Sequence, residues 1–490
     1  MESRTENPRW LLAAVLVVQF LVALDMSVVN VALPDMRDDL GFTSGGLQWV
    51  VGAYALAFGG LMMLGGRLAD LIGGRRLLPA GLTLFGLASL VGGLVSEPGA
   101  LIAARAAQGA GAAAVSPVAL ALITLSFAEG PARSKALGLW GMSGAVGGAV
   151  GVLAGGVLTD LAGWRAVMLV NVPIVLLALL AAARAGLPGP RERPAARLDT
   201  AGALLVTAGM SLLVLGVVRT ESHPWGSAAT LLPLGAAVVL LIAFVLVERR
   251  VPQPLLRLGL FGIRPVLGAN LFTLLLCSGQ FSSFYFCSLY MQQVLGYGAT
   301  ATGAAFLPFS AGVVAGALFA SRVVARTGVR DLLVPGGLLS AAGLALFAVT
   351  ATPDGSFLTS ILGPSLLASV GIGMSFVPLA TAAVTGVAPG EAGMASGLLN
   401  SSRQLGGSLG LAALVTVAAS VTGDGTGRAA LAAGHRAAYG VSAVLIALGT
   451  VLACVLIPGR SAAARMAAAE KSQKNSGGDV DPEVSRSTSG

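Results

Sequence analysis

Two charged side chains lie inside long apolar runs of this sequence, where charge is costly. Asp25 lies in the run 10–33 and Arg105 in the run 100–125. An ionised carboxylate within a bilayer is expensive and is usually kept for a function. Because burial favours the neutral form of an acid, Asp25 is suited to taking up and releasing a proton. We therefore predict a proton-carrying role for Asp25; the alternative is a static ion pair that holds its helix to a neighbour.

The depths of the two residues allow them to interact. At 1.5 Å per helical residue, Asp25 lies roughly 12 Å and Arg105 roughly 6 Å below the same membrane surface. An arginine beside a carboxylate favours its ionised form, and moving the two apart favours protonation. The distance between Asp25 and Arg105 could thus control proton uptake by the carboxylate. The alternative is that Arg105 extends its charged end to the membrane surface.

The composition predicts what holds these residues in place. The chain has 490 residues, of which 55% are hydrophobic and 11% charged, and a mean hydropathy of +0.85. Soluble domains are about a quarter charged, so a soluble protein is excluded. A membrane β-barrel would alternate apolar and polar residues, which the long apolar runs do not. The sequence predicts an all-α polytopic membrane protein.

Apolar runs long enough to cross about 30 Å of hydrocarbon predict fourteen spans. They cover residues 10–33, 47–66, 77–95, 100–125, 135–159, 165–186, 200–218, 228–248, 265–291, 301–325, 331–350, 357–380, 397–421 and 437–457. The segment 1–9 forms a short N-terminus, and the polar segment 458–490 is predicted to be a disordered tail. The first run lacks the short apolar core and cleavage site of a signal peptide.

The basic residues predict the orientation. Of 30 lysines and arginines, most lie on the side of the two termini. The loops of the other side hold Arg37, Arg165, Arg219, Arg428 and Arg436. The positive-inside rule then places both termini in the cytoplasm. Because the basic residues flank apolar runs, topology accounts for the net charge of +8 better than nucleic-acid binding does.

An internal repeat predicts the architecture. The glycine-rich run from Gly138 to Gly151 matches the run from Gly397 to Gly410. Spans 1–6 therefore correspond to spans 9–14 in the same order, and spans 7–8 are an insertion. We predict two parallel six-helix bundles, 10–186 and 265–457, with the segment 187–264 carrying the two extra spans. Parallel repeats of this kind are typical of secondary transporters.

Four motifs resemble those of the major facilitator superfamily, and within it the fourteen-spanner drug:proton antiporters. The first is LDMSVVNVALP, beginning at Leu24, and the second is LIAARAAQGAGAA, beginning at Leu101. The third is the loop GRLADLIGGRR, beginning at Gly66, and the fourth is GAVGGAVGVLAGG, beginning at Gly144. The resemblance covers about residues 10–457 and implies a bacterial cytoplasmic-membrane antiporter that exports drugs or antibiotics.

The resemblance assigns roles to the motif residues. It implies that Asp25 and Arg105 couple transport to protons. It implies a conformational latch on the cytoplasmic face, formed by Gly66, Asp70, Gly73, Arg75 and Arg76. Small residues allow helices to approach closely, which is the predicted role of Gly147, Gly148, Gly151, Gly155 and Gly156. Leu71 stands where the family usually has a basic residue, and Val152 where it has a proline after Gly151.

Polar and aromatic residues in the spans predict a substrate site. Gln280 occupies the repeat position of Asp25 and is followed by aromatic residues, a composition that suits a drug-like ligand. The predicted set is Asn30, Gln108, Gln280, Phe284, Tyr285, Asn400 and Arg403. Alternatively, the aromatic residues face lipid. For Arg403 the sequence leaves three alternatives: contact with Glu391, contact with a substrate, or extension towards the membrane surface.

Other classes of protein are less well supported. Gly109 and Gly111 resemble a dinucleotide fingerprint, but no strand precedes them. No Walker A lysine is present, and His223 and His435, both predicted in loops, have no zinc-protease spacing. We therefore predict that the protein is not an enzyme and uses no metal or cofactor, and that the proton gradient is its energy source. The predicted partners are a small amphipathic drug, protons and the lipid bilayer. The protein is predicted to be a monomer. Proton-coupled uptake is the first alternative, and a non-transporting receptor or assembly subunit is the second.

Overall fold

The computed structural model describes residues 7–127, 131–187, 199–220, 223–252, 254–388, 391–423, 425 and 427–459. Within these ranges the regular elements are helical, and they contain no strand. Most of the predicted N-terminal segment 1–9 and nearly all of the predicted tail 458–490 lie outside the described residues. So does most of the connection between the sixth and seventh predicted spans.

The α-helices of the described residues follow one another in chain order. They are α1 (Pro8–Leu40), α2 (Ser44–Ile72), α3 (Gly74–Leu94), α4 (Pro98–Ser126), α5 (Pro131–Ala162), α6 (Trp164–Leu169), α7 (Asn171–Ala185), α8 (Thr200–Arg219), α9 (Ala228–Arg250), α10 (Arg264–Leu289), α11 (Ala299–Ala305), α12 (Leu307–Thr327), α13 (Val329–Thr350), α14 (Gly363–Val384), α15 (Ala392–Thr422) and α16 (Arg428–Leu456). Short π-helical turns, Tyr290–Val294 and Phe357–Leu362, extend α10 and precede α14.

All fourteen predicted runs fall on helices. In the described ranges, 13 segments are long and apolar enough to cross a bilayer, with α6–α7 and α11–α12 each forming one span. The seventh predicted run falls on α8, whose apolar part, Ala201–Val217, is shorter. The all-α polytopic prediction is therefore confirmed.

Several helices extend beyond their predicted bounds, and the start of the last helix differs most. The last helix begins at Arg428 rather than near residue 437, so His435 lies inside α16 and not in a loop. Its ring is buried and packs against Phe286 and Tyr290. The polar residues at the start of α16 interrupt the apolar pattern; of these, His435 is buried and Arg428 and Arg436 are exposed.

The repeat seen in the sequence appears as repeated packing. α5 lies along α1, and the two helices are so close that a Cβ atom at Gly147 would lie 2.6 Å from the Phe20 carbonyl oxygen. α15 lies along α10 in the same way, with Gly406 against the Leu274 backbone and Gly410 against Ser278. Glycines at matching repeat positions thus let both helix pairs approach closely. This packing agrees with two parallel six-helix bundles, which we call the first and second halves.

The two faces of the bundle are distinguished by the helix ends. α1 and α10 end at the same face, where Asn30 and Ser288 are in contact. α16 ends beside the start of α10, where Gly268 contacts Leu456. We call the face where α1 and α10 begin the terminal face and the opposite face the distal face.

The halves meet towards the distal face. Gly156, near the end of α5, contacts Ala299 at the start of α11, and Asp160 accepts a hydrogen bond from the Thr300 backbone N–H at 2.8 Å. α2 packs along α15, where the Ser401 hydroxyl donates to the Gly59 carbonyl oxygen at 2.9 Å. The largest buried apolar cluster also combines the distal part of α1 with residues of the second half. Contacts between the halves therefore close the distal side in the described residues.

The inserted helices lie against this seam. α8 packs on both α2 and α15, and a side chain at Gly60 would meet the Thr207 hydroxyl at 2.8 Å. Leu56 of α2, Val214 of α8 and Ala412 of α15 share one buried apolar cluster. α9 packs mainly on α8 and exposes most of its own surface, as expected of a helix facing lipid.

Candidate functional site

The predicted intramembrane carboxylate lies at the centre of a hydrogen-bond cluster. Asp25 is fully buried. Its Oδ2 accepts a hydrogen bond from the Arg105 guanidinium at 2.8 Å. Its Oδ1 accepts hydrogen bonds from the amides of Asn171 at 2.8 Å and Gln108 at 3.2 Å. Donors from α4 and α7 thus surround the carboxylate, and hydrogen bonds between charged groups are stronger than those between neutral groups.

The arginine of the pair is itself held in place. Arg105 is 1% exposed, and its Nε donates to the Val50 carbonyl oxygen of α2 at 2.8 Å. The nitrogen that contacts Asp25 also donates to the Gln108 side-chain oxygen at 3.0 Å. Its guanidinium carbon lies 4.4 Å from the centre of the Tyr54 ring. Since Arg105 and Gln108 are three residues apart, they share one face of α4.

The cluster continues to a further helix through Gln108. The amide nitrogen that contacts Asp25 also donates to the Ser89 hydroxyl of α3 at 2.7 Å. Five buried polar residues from α1, α3, α4 and α7 therefore form one network. A buried ion pair is stable only when its remaining donors and acceptors are satisfied. In this network both carboxylate oxygens of Asp25 accept hydrogen bonds.

A contact at the distal face sets the position of Asn171. Asp39, near the end of α1, accepts hydrogen bonds from the Trp164 indole at 2.9 Å and from Arg165 at 2.7 Å. These bonds fix the start of α6 beside α1. Asn171 begins α7 after the break between the two helices, and this placement brings its amide to Asp25.

A cavity lies directly beside the ion pair. Its volume is about 140 Å³. It is lined by Met26, Ser27, Asn30, Val51, Tyr54, Ala55, Arg105, Gln280, Phe281 and Phe284. The first half contributes polar groups next to Asp25, and the second half contributes a glutamine and two aromatic rings. The Tyr54 hydroxyl is buried without a hydrogen-bond partner among the described residues. The cavity thus joins an ionisable pair to an apolar surface.

The predicted substrate residues divide into two groups. Asn30, Gln280 and Phe284 line the cavity. Gln108 does not line it and belongs to the network around Asp25. The side chain of Tyr285 is 2% exposed and packs against Phe286, so it does not line the cavity as we had predicted. Consecutive helical residues point about 100° apart, which separates Tyr285 from Phe284.

Two predicted residues of the second half lie on α15. The Asn400 amide donates to the Ser396 carbonyl oxygen of its own helix at 3.1 Å. Arg403 lies with its guanidinium carbon 4.9 Å from the centre of the Phe376 ring. The suggested partner of Arg403 was wrong, because Glu391 forms a salt bridge with Arg257 instead.

The latch motif forms the turn between α2 and α3. Gly73 has a φ of +79°, a conformation that strongly favours glycine. Arg75 and Arg76 are exposed at the terminal face, and a side chain at Gly66 would come no closer than 3.9 Å to Pro117. The side chain of Asp70 lies outside the described residues. The role of the latch residues therefore stays a prediction.

Four of the five motif glycines of α5 lie at helix contacts. A side chain at Gly151 would collide with Ser27 and meet the Leu24 carbonyl oxygen at 2.7 Å, beside Asp25. Gly147 and Gly155 face α1 in the same way, and Gly156 faces α11. Gly148 has open space around its Cβ position, so we find no packing role for it.

Sequence reasoning missed three members of the site. Asn171, Ser89 and Tyr54 are buried and contact the ion pair or its partners. Asn171 had a detectable signal, since it is the polar residue of an otherwise apolar span. Serine and tyrosine are common in membrane helices and gave no comparable signal. Among the described residues, no group of three potential ligands could hold a metal ion.

Comparisons with known proteins agree with this arrangement. The profile of the Major Facilitator Superfamily matches residues 15–411. The cephamycin export protein CmcT of Amycolatopsis lactamdurans is 46% identical over 414 residues, which are 84% of this chain and 85% of that protein. The puromycin resistance protein pur8 of Streptomyces alboniger is 44% identical over 83% of this chain and 81% of that protein.

Solved structures support the fold alone. A bacterial homologue of the human lysosomal transporter Spinster, in an inward-facing and unoccupied conformation, matches with a TM-score of 0.66 and 15% identity, over 91% of this chain and 96% of that chain. A peptide transporter in complex with sulfate matches with a TM-score of 0.67 and 14% identity, over 91% and 94% of the two chains. With its profile match and its relatives, the chain belongs to the Major Facilitator Superfamily.

Proposed function

We propose that this protein exports antibiotics across the bacterial cytoplasmic membrane in exchange for protons. Its relatives are named for export of or resistance to several antibiotics, among them cephamycin, puromycin and lincomycin. The observation that carries proton coupling is the buried Asp25 carboxylate, which is held by three donors and lies beside the cavity. A buried ionisable group next to a binding cavity can exchange a proton as the cavity changes.

The proposed cycle uses the distance between Asp25 and Arg105. While Asp25 is ionised, Arg105 stays bonded to it. When the halves open to the distal side, the carboxylate takes up a proton from that side, which neutralises it and weakens its bond to Arg105. This change beside the cavity favours release of the antibiotic to the distal side. When the terminal side opens again, Asp25 loses its proton there and the next antibiotic binds.

The remaining assignments complete this proposal. We take the terminal face as cytoplasmic because basic residues concentrate there. The proton gradient supplies the energy, and no cofactor or metal takes part. The six-helix units 10–186 and 265–457 rock against each other around the cavity, as in other transporters built from repeats. One copy of the chain contains the whole proposed site and suffices for transport.

Purified protein in liposomes with an acidic interior tests the proposal. Cefoxitin, puromycin and lincomycin are each added outside, and internal pH is followed with an enclosed dye. We expect at least one antibiotic to cause internal alkalinisation in the wild type, because protons leave as the drug enters. We expect Asp25→Asn to abolish this response, while Asp38→Asn, an exposed carboxylate of α1, keeps it.

The other outcomes discriminate between the alternatives. Internal acidification on drug addition under an outside-acidic gradient would support proton-coupled uptake. A response that survives Asp25→Asn would leave antiport in place but remove Asp25 as the proton carrier. The absence of any response from the wild type to all three drugs would contradict the proposed function and favour a non-transporting role.

A further inference from the structure

Arg403 is a cation inside the bundle that has no acidic partner among the described residues. The ion pairs of the described residues pair other arginines with carboxylates and do not include Arg403. Its Nε is buried and makes no hydrogen bond within the same ranges. Arg105, by contrast, lies against Asp25. An uncompensated charge within the bilayer is costly and marks a site for a ligand or ion.

Arg403 lies inside the bundle, on the terminal side of the ion pair. The next residue, Gln404, lies 4.0 Å from the Met26 sulfur, and Met26 follows Asp25 in α1. The guanidinium also lies beside the Cys277 thiol of α10. Cys277 is roughly 20 Å along α10 from its start at the terminal face. The charged end therefore points into the bundle and does not extend towards the terminal surface.

The neighbours of Arg403 connect it to the cavity. Cys277 precedes Gln280 by one helical turn and lies 4.0 Å from its side-chain oxygen, and Gln280 lines the cavity with Phe281 and Phe284. On its other side, Arg403 stacks on the half-exposed Phe376 ring of α14. A molecule bound against the aromatic rings would thus have a cation one turn away, towards the terminal face.

We propose that Arg403 binds an anionic group, such as a carboxylate, on the transported molecule. The proposal rests on the proposed function and names a substrate class for it: amphipathic molecules with an aromatic or apolar body and one negative charge. The planar guanidinium matches a carboxylate through paired hydrogen bonds, and its free Nε is one of the donors needed. The Asp25–Arg105 pair is neutral overall, so among the described residues Arg403 leaves the surroundings of the cavity with a net positive charge.

Binding of matched carboxylates and esters tests this inference. Full-length protein in phosphatidylcholine nanodiscs is titrated by calorimetry with cefoxitin, fusidic acid and nalidixic acid, and with the methyl ester of each. For at least one pair, we expect the wild type to bind the carboxylate about 10- to 100-fold more tightly than the ester, the range of a hydrogen bond to a charged group. We expect Arg403→Gln to bring this ratio close to one, and Arg403→Lys to restore part of it.

The controls separate charge recognition from damage to the fold. Arg436→Gln removes an exposed arginine of the distal face and is expected to keep the wild-type ratio. Because the ratio compares two ligands on one protein, partial misfolding does not change it. Added phosphatidylglycerol should also leave the ratio unchanged, and a loss of preference there would assign the site to an anionic lipid headgroup and overturn the proposal.

The result that overturns the inference is an equal carboxylate-to-ester ratio in the wild type and in Arg403→Gln for all three pairs. This failure is distinguishable from failure of the proposed function. An antibiotic-driven proton flux that depends on Asp25 would still establish antiport, while the substrate class would be wrong.

Discussion

The Ser288 hydroxyl of α10 donates a hydrogen bond of 2.7 Å to the backbone carbonyl oxygen of Asn30 in α1. In a regular helix this oxygen would accept from the N–H of the residue four positions later. That residue is Pro34, which has no N–H. The proline of the first motif therefore frees a carbonyl group that the other half of the molecule uses. Gln292 adds a bond of 2.9 Å to the Val31 carbonyl oxygen.

This contact predicts a role for Ser288 in closing the distal side. We expect Ser288→Ala to increase the ratio of distal-open to distal-closed molecules about fivefold, the effect of one net hydrogen bond of about 1 kcal/mol. Spin labels at the exposed Leu161 and Leu358, in a variant without native cysteines, would report the opening as a longer distance. Ser283→Ala is the matched control, because among the described residues the Ser283 hydroxyl bonds to the Gly279 carbonyl oxygen of its own helix. Equal distance distributions for the two variants would argue against this role.

The buried ion pair predicts a strong coupling between two substitutions. Arg105→Gln leaves the Asp25 carboxylate buried without its cation, and removing one partner of such a pair costs about 3–5 kcal/mol. Adding Asp25→Asn removes the unpaired charge and should recover more than half of the lost free energy of unfolding. Denaturation in detergent by increasing SDS would measure all four proteins of the cycle. Additive losses would show that the two residues do not interact in the folded protein.

The same glycine-to-alanine substitution at two positions of α5 is expected to be harmful at one position and harmless at the other. Gly151→Ala adds a methyl group that collides with Ser27, so α1 must shift beside Asp25, and overpacking of this kind costs about 1–3 kcal/mol. Gly148→Ala adds the same group three residues earlier, where space is open. We expect the first to lower both thermal stability and drug-driven proton flux, and the second to change neither. A harmless Gly151→Ala would contradict the close contact with α1.

Asn171 predicts a loss of stability that depends on the charge of Asp25. Its amide donates to Asp25 at 2.8 Å, and a hydrogen bond to a charged group contributes about 1.5–3 kcal/mol. We expect Asn171→Ala to lower the free energy of unfolding by about this amount in SDS denaturation, and by less when Asp25 is already Asn. Asn30→Ala is the control, because the Asn30 amide donates to the Met26 carbonyl oxygen of its own helix. Equal losses in the two variants, or an Asn171→Ala loss that does not depend on Asp25, would count against the assignment.

The sequence indicated that Asp25 and Arg105 could meet, because their depths in the membrane are similar. Counting residues from the helix ends gives depth, and both residues lie in the distal half of their helices. Asn171 could not be placed in the same way. Its position depends on the break between α6 and α7 and on the contact of Asp39 with Trp164 and Arg165, both of which are tertiary features.

Helix rotation is one feature that the sequence does not reveal. A run of apolar and aromatic residues does not indicate which side of a helix faces the cavity, so the sequence did not separate Phe284, which lines the cavity, from Tyr285, which packs against Phe286. The same applies to Gly148, which lies next to the packed Gly147 but points to open space. Contacts between distant loops are also invisible in the sequence, as the pairing of Glu391 with Arg257 illustrates.

The central claim is that Asp25 exchanges its proton when an antibiotic binds, and the most direct test measures that proton. Purified protein in weakly buffered detergent solution is mixed with the antibiotic of the panel that drives the largest flux, and released protons are titrated. We predict release from the wild type near the pH at which transport is half-maximal, and none from Asp25→Asn, although the variant still binds the drug. Equal proton release from both proteins would contradict the account.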